Sequence, residues 1–480
     1  MVSEGRSNFL NCTLLGSGLI LLSMTASAAE WTRSASISAG AVYSDNVNLV
    51  SNGKESELTP ILTPSVSLHG KGARARLDLT GALEINGQGG SNDSINPRLQ
   101  ADAHTELYER VVFLDLNATA TQNAIEPLNI SGIDNLSNND NKTTTYSYKI
   151  SPYLRSRFKG LADMELRYTY NQLNHSEGSV GDTSSDAVTL AIDSGPEFTK
   201  WTWGIGASHK TTDDDQGEVS QLSSLDLRLG YQINRQWQIN GLVGNESNDF
   251  STVRSSSDGS LWEVGARWTP SARTMLDFGI GERFFGTTKR LSLSHRSKRS
   301  VLSAIYTTEL TDSTTLLSNQ VVFLVTDQFG QPIPHPVTGD PFFVTIDLPT
   351  IGTSTFVDER LAVSYSLRGK RTTFTLSADM SDQTYQDSTR EVSSRGLGAS
   401  LTRSLSGNVS GDVSLNWSQQ EESGLGNRES DTWILQAGIN RQLGQKTHLR
   451  FNYSFTDRSS NQTGQSYEEN RLSLSLMHTL

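Results

Sequence analysis

The last ten residues, Arg471-Leu-Ser-Leu-Ser-Leu-Met-His-Thr-Leu480, alternate strictly. Leu472, Leu474, Leu476, His478 and Leu480 share one face, and Arg471, Ser473, Ser475, Met477 and Thr479 share the other. A period of two belongs to a β-strand and not to a helix. An apolar face that runs to the chain end predicts a closing strand of a transmembrane barrel, with one face toward lipid and the other toward water. Its partner should be the first strand, near residues 35–43.

The same alternation recurs along the chain. Leu77, Leu79, Leu83 and Ile85 oppose Arg76, Asp78, Thr80 and Glu84; Leu99, Ala101 and Ala103 oppose Asp102 and His104. Leu225, Leu227 and Leu229 oppose Asp226 and Arg228; Trp262, Val264 and Ala266 oppose Glu263 and Arg267; Leu449 and Phe451 oppose Arg450. Short turns fall near 70–72, 109–110, 159–160, 195–197, 234–236, 270–272, 297–299, 368–370, 405–407 and 443–445. Longer polar loops lie between them, including 121–142, 172–184, 210–219, 245–258 and 458–467. Outer-membrane barrels have short periplasmic turns, long outer loops and an even strand number. The chain therefore predicts an all-β fold, a transmembrane antiparallel up-and-down β-barrel of about 22 strands, with 18 or 20 as alternatives.

Composition fits this reading. Only 35% of residues are hydrophobic, and Ser, Thr, Asn and Gly are abundant. Half of each strand in a water-filled barrel faces water, so low mean hydropathy is expected. A soluble β-sandwich or solenoid would also alternate, but its outward face should be polar. Here Tyr43, Tyr168, Tyr170, Trp262, Trp268, Trp417 and Trp433 lie on the apolar side, as interfacial aromatics do. The net charge of −12 argues against nucleic acid, which needs a basic face.

Residues 1–28 read as a cleaved signal peptide, with an apolar run from Phe9 to Met24 and Ala26-Ser27-Ala28 at the cleavage site. The barrel would then occupy 29–480, with no plug domain before it, in the outer membrane of a Gram-negative cell. Cys12 is the only cysteine, so the mature chain would have neither disulfide nor thiolate metal site. The segment 314–353 is the longest connection. It holds two apolar runs around the proline-rich stretch 330–336, and reads either as an outer hairpin or as a constriction folded into the lumen.

One stretch is distinctive: Trp268-Thr-Pro-Ser-Ala-Arg-Thr-Met-Leu-Asp-Phe-Gly-Ile-Gly-Glu-Arg-Phe-Phe-Gly286, continuing through Leu291-Ser-Leu-Ser-His-Arg-Ser-Lys-Arg-Ser300 to Tyr306. It resembles the outer-membrane barrel family associated with PEP-CTERM/exosortase systems. Tyr43-Ser-Asp-Asn-Val-Asn-Leu49 is similar to that family's early signature. The resemblance implies a barrel encoded beside extracellular-polysaccharide genes, serving polymer export or assembly of its secretion machine. Its implied partners are outer-membrane lipid and lipopolysaccharide, the exported polysaccharide, and periplasmic secretion components. The chain ends in Leu480, whereas barrel insertion signals usually end in an aromatic residue.

Candidate lumen-lining residues follow from the phase of each strand: Arg76, Asp78, Glu84, Asp102, Arg155, Arg167, Asp226, Arg228, Glu263, Arg267, Asp277, Arg283, Arg290, Arg296 and Arg450. Arg283 could pair with Asp277 or a neighbouring acid, or it could touch a passing anionic polymer. Mixed charges among hydroxyls wet a pore without binding one ion sign strongly. An export channel for polysaccharide leads, with a porin and a non-conducting docking barrel as alternatives. No nucleophile or metal spacing surrounds the scattered histidines, so the chain is expected to be no enzyme and to need no cofactor.

Overall fold

A computed structural model of the chain describes residues 30–480 except 88–94, 134–135, 138, 178–179, 216, 319–322, 325–342, 345–353 and 425. The predicted signal segment and most of 314–353 therefore lie outside the described residues. The described chain is a single closed sheet of 22 strands, the number that the turn count predicts. Every neighbouring pair is antiparallel, and strands follow chain order around the wall. Closure comes where Glu30–Ser44 pairs with Tyr467–Thr479, setting Tyr43 against Leu472 and Ala39 against Leu476. Leu480 N then donates to the Ala35 carbonyl, so the chain end is tied to the seam. Closure leaves no unpaired strand edge in the bilayer, where an unsatisfied backbone group is costly.

Both termini of the barrel and ten short turns stand at one end. Those turns are 72–74, 109–111, 159–161, 195–200, 233–236, 272–273, 297–299, 369–371, 405–408 and 443–446. Local chemistry makes them tight: Arg110 and Lys159 take φ of 62° and 48°, and Asn234 Oδ1 accepts from the backbone of Gln236 and Trp237. At the other end the connections are shorter than the sequence suggests. Strands reach Ala124, His175, Asp214, Asp249 and Ser460, because alternation continues in polar residues after the apolar face has ended. Several outer connections are as short as the turns, the tightest being 284–285, which Gly286 with φ of 132° serves.

Residue phase sorts the wall into two faces. Leu225, Leu227, Leu229, Val243, Val264, Phe278 and Ile280 are exposed on the outside. Trp237 stacks on Trp268, and Trp201 packs against Tyr231, on that same face beside the turns. Exposed apolar surface on this scale marks a lipid contact, not a soluble exterior. No described helix is long and apolar enough to cross a membrane.

Candidate functional site: the inner wall and its outer mouth

The inner face is built from the residues between those leucines. Asp277 is 5% exposed while Phe278, its neighbour, is 41% exposed. Most of the inward charges meet an opposite charge on the same strand or an adjacent one. Arg76 Nε donates to Asp78 at 2.5 Å, and Asp78 also meets His69 at 3.0 Å. Arg98 holds the buried Glu84 at 2.9 Å, and Asp102 accepts from Asn117 at 2.7 Å. Arg155 donates to Glu165 at 2.7 Å, while Arg167 reaches both Glu165 and Asp115 at 3.0 and 2.8 Å. Arg267 and Arg290 share Asp277, the first at 2.7 Å. Arg283 pairs with Glu246 rather than Asp277, with its Nε at 3.0 Å.

Five of these pairs reach across an intervening strand, Arg167 with Asp115 and Arg283 with Glu246 among them, and in the other three a glycine makes room. Arg290 meets Glu263 at 2.8 Å over Gly279, where an added Cβ would stand 2.6 Å from the Glu263 carboxylate. Arg450 meets Asp412 at 3.2 Å over Gly438, and Arg228 meets Asp193 at 3.5 Å over Gly204. Asp226 joins the last cluster at 3.2 Å from Arg228. Sequence alone suggests that the glycines beside Asp277 open space. It does not show that the space lets charges bridge two strands apart.

Arg296 differs. It lies on the inward phase at the foot of its strand, exposed, beside the 297–299 turn. Its backbone N–H donates to the Arg273 carbonyl, so it joins the rim and not the paired wall.

Several wall residues escape the sequence reading. Phe113 and Tyr153 face inward, stacked at 5.0 Å, with the His104 ring 5.9 Å from the first and 6.5 Å from the second. The Arg167 guanidinium sits 3.9 Å above Tyr153. Aromatics in barrels read by default as lipid-facing, but their phase within Val112–Ala124 and Lys142–Phe158 places these two inside. Asp115, Asp193, Glu246 and Asp412 carry the same period-two signal.

At the outer end, connections fold into the mouth. The 125–141 loop crosses to strands near the seam: Arg428 meets Glu126 at 3.2 Å, Arg458 donates to the Leu128 carbonyl at 2.6 Å, and Gln465 accepts from Ile130 N at 2.8 Å. Leu136 packs on the inward side chains of Val42 and Ile61. A second crossing starts at the short helix Ser313–Ser318. Lys210 holds Asp312 at 2.6 Å, Thr314 bonds Thr183, and Leu316 packs against the Phe356, Tyr385 and Val392 cluster. Beyond it Phe323–Leu324 pairs antiparallel with Phe343–Val344. Among the described residues no three His, Cys, Asp or Glu side chains group as a metal site.

The stretch Tyr43–Leu49 lies at the seam of the same end. Asp45 accepts from Asn470 N at 2.7 Å and Nδ2 at 2.8 Å. Asn46, fully buried, donates to the Val50 and Glu468 carbonyls. These two residues clamp the first strand to the last.

A closed sheet with an apolar exterior, a polar interior, turns at one end and longer connections at the other defines an outer-membrane β-barrel. No protein-family model and no curated protein matches the sequence. The fold is similar to that of the FrpB iron transporter from Neisseria meningitidis (F5-1 variant), at a TM-score of 0.51 and 8% identity over 94% of this chain and 83% of that one. The siderophore receptor PirA from Pseudomonas aeruginosa aligns at a TM-score of 0.48 and 9% identity, over 93% of this chain and 80% of that one. At such identity the likeness to the iron transporter is one of fold alone.

Proposed function

We propose that this barrel is an outer-membrane conduit for a hydrophilic solute, with extracellular polysaccharide as its exported cargo. The observation that carries the conduit reading is the inner wall. Its charges are compensated in place, so a polar solute meets a wetted surface with no strong trap of either sign. A barrel of this strand number is too wide for wall side chains to fill, so loops must set its bore. The cargo rests on the resemblance across 268–300. Lipopolysaccharide and periplasmic secretion components are its further partners on this reading.

Deletion of the gene and single-channel recording of the purified barrel test the proposal together. Reduced secreted polymer and a conducting pore are expected. Normal secretion in a strain without a redundant homologue would sink the export reading. A nonconducting but correctly inserted barrel would favour a docking role.

A second reading has its own observation. The 125–141 and 313–318 crossings narrow the outer mouth, which suits a porin for small solutes. Exclusion of neutral polymers of graded size from the open channel separates the two: a porin admits only the smallest.

A further inference from the structure

The inner wall leaves one group of charges unused. Nine of the ten short turns carry a Lys or Arg, among them Arg74, Arg110, Lys159, Arg235, Arg273 and Lys446. Only Glu109 and Glu197 oppose them within those turns. The basic side chains named are exposed, and among the described residues none has an ion-pair partner. The outer connections have the opposite sign, with Asp45, Glu55, Glu177, Asp182, Asp258 and Asp387 among their acids. Their few described bases are engaged: Lys54 with Glu468, Arg254 with Gln386 and Arg390 with Glu422. A chain of net charge −12 has thus gathered free cations at its periplasmic end.

Spacing makes the ring act as one surface. Strands lie about 4.8 Å apart, so successive turns, two strands apart, stand roughly 10 Å from each other. That is about one Debye length at physiological salt, so the fields of neighbouring turns overlap. The density is highest on three consecutive turns, 272–273, 297–299 and 369–371, which carry Arg273, Lys298, Arg299, Lys370 and Arg371. The first two belong to the most distinctive stretch of the sequence, in a part that the lumen does not use.

We propose that this periplasmic rim captures an anionic polymer, a chain bearing repeated carboxylate or sulfate groups, and delivers it to the barrel entrance. This rests on the export reading and narrows its cargo to a polyanion. A long anion can bridge several turns at once, and linked weak contacts gain far more than any single one. Inside, the guanidinium groups already hold carboxylates, so attraction is strong at the entrance and weak along the wall. That order favours capture followed by passage. Anionic phospholipid is the competing occupant. The turns continue past the outward Trp237 and Trp268, the aromatic pair beside them, and they encircle the opening.

The test uses the full barrel in detergent and a fluorescent polyuronate oligomer, with neutral dextran of equal length as comparison. Fluorescence anisotropy should show polyuronate binding that weakens about tenfold or more between low and high salt, as screening removes the attraction. The variant R273Q/K298Q/R299Q/K370Q/R371Q should bind at least about tenfold more weakly, and neutral dextran should not bind. Equal binding of both polymers, or binding unchanged in the variant, would overturn the proposal. So would binding of phosphatidylglycerol vesicles by the same residues, in barrel transferred from detergent to nanodiscs, with no polyuronate binding. A wild-type pore that conducts while showing any of these results leaves the conduit reading standing and removes only this inference.

Discussion

The inner wall and the periplasmic rim both use arginine, in opposite ways. On the wall, Arg267, Arg283, Arg290 and Arg450 are held by carboxylates, several of them nearly buried. At the rim, Arg74, Arg235 and Arg273 are exposed, with no acid partner among the described residues. The difference follows from cost. A charge facing a crowded wall must be paired, because an unpaired one loses hydration with no return. A charge on an exposed turn keeps its hydration, so its field stays available to a ligand. The wall's arginines therefore belong to stability and the rim's to recognition.

That contrast can be broken by substitution. The largest effect should come from Asp277→Ala, which leaves Arg267 and Arg290 without their shared partner. A loss of about 2–4 kcal/mol is expected, read by urea unfolding in liposomes. Gly279→Val should come next, at about 1–3 kcal/mol, because its side chain would collide with the Glu263 carboxylate and part it from Arg290. A normal midpoint would show that the pair over Gly279 adds nothing. Asp45→Ala should cost about 1–2 kcal/mol by freeing the Asn470 amides, with faster hydrogen exchange at the outer end of the seam. Smallest of all, Arg273→Gln should move stability by less than about 0.5 kcal/mol. A loss as large as that for Asp277 would erase the distinction between rim and wall.

Local chemistry made much of the barrel legible beforehand. Turn 270–272 could be read from Pro270 and the change of phase around it, and each of the ten turns has a local signal of that kind. Facing was legible for the same reason, since one residue of shift exchanges the faces. Long-range pairing was not. That Arg283 meets Glu246 two strands away depends on register between strands, which no local pattern encodes. Glu126 and Arg428 are far apart in sequence and meet only because the 125–141 loop turns inward. A polar loop carries no periodicity to announce that turn. The inward Tyr153 was hidden differently: composition assigns aromatics to lipid, and only phase corrects it.

The assignment of faces supports every other conclusion, and two adjacent residues test it. Leu376 and Ser377 are both exposed in the isolated chain, and only a bilayer distinguishes them. The sole native cysteine, Cys12, lies in the predicted signal segment, so single-cysteine variants give a clear readout. In intact outer membranes, S377C should react with a small charged thiol reagent and L376C should stay unlabelled until detergent is added. Labelling of L376C with protection of S377C would show that the wall is turned inside out relative to this account.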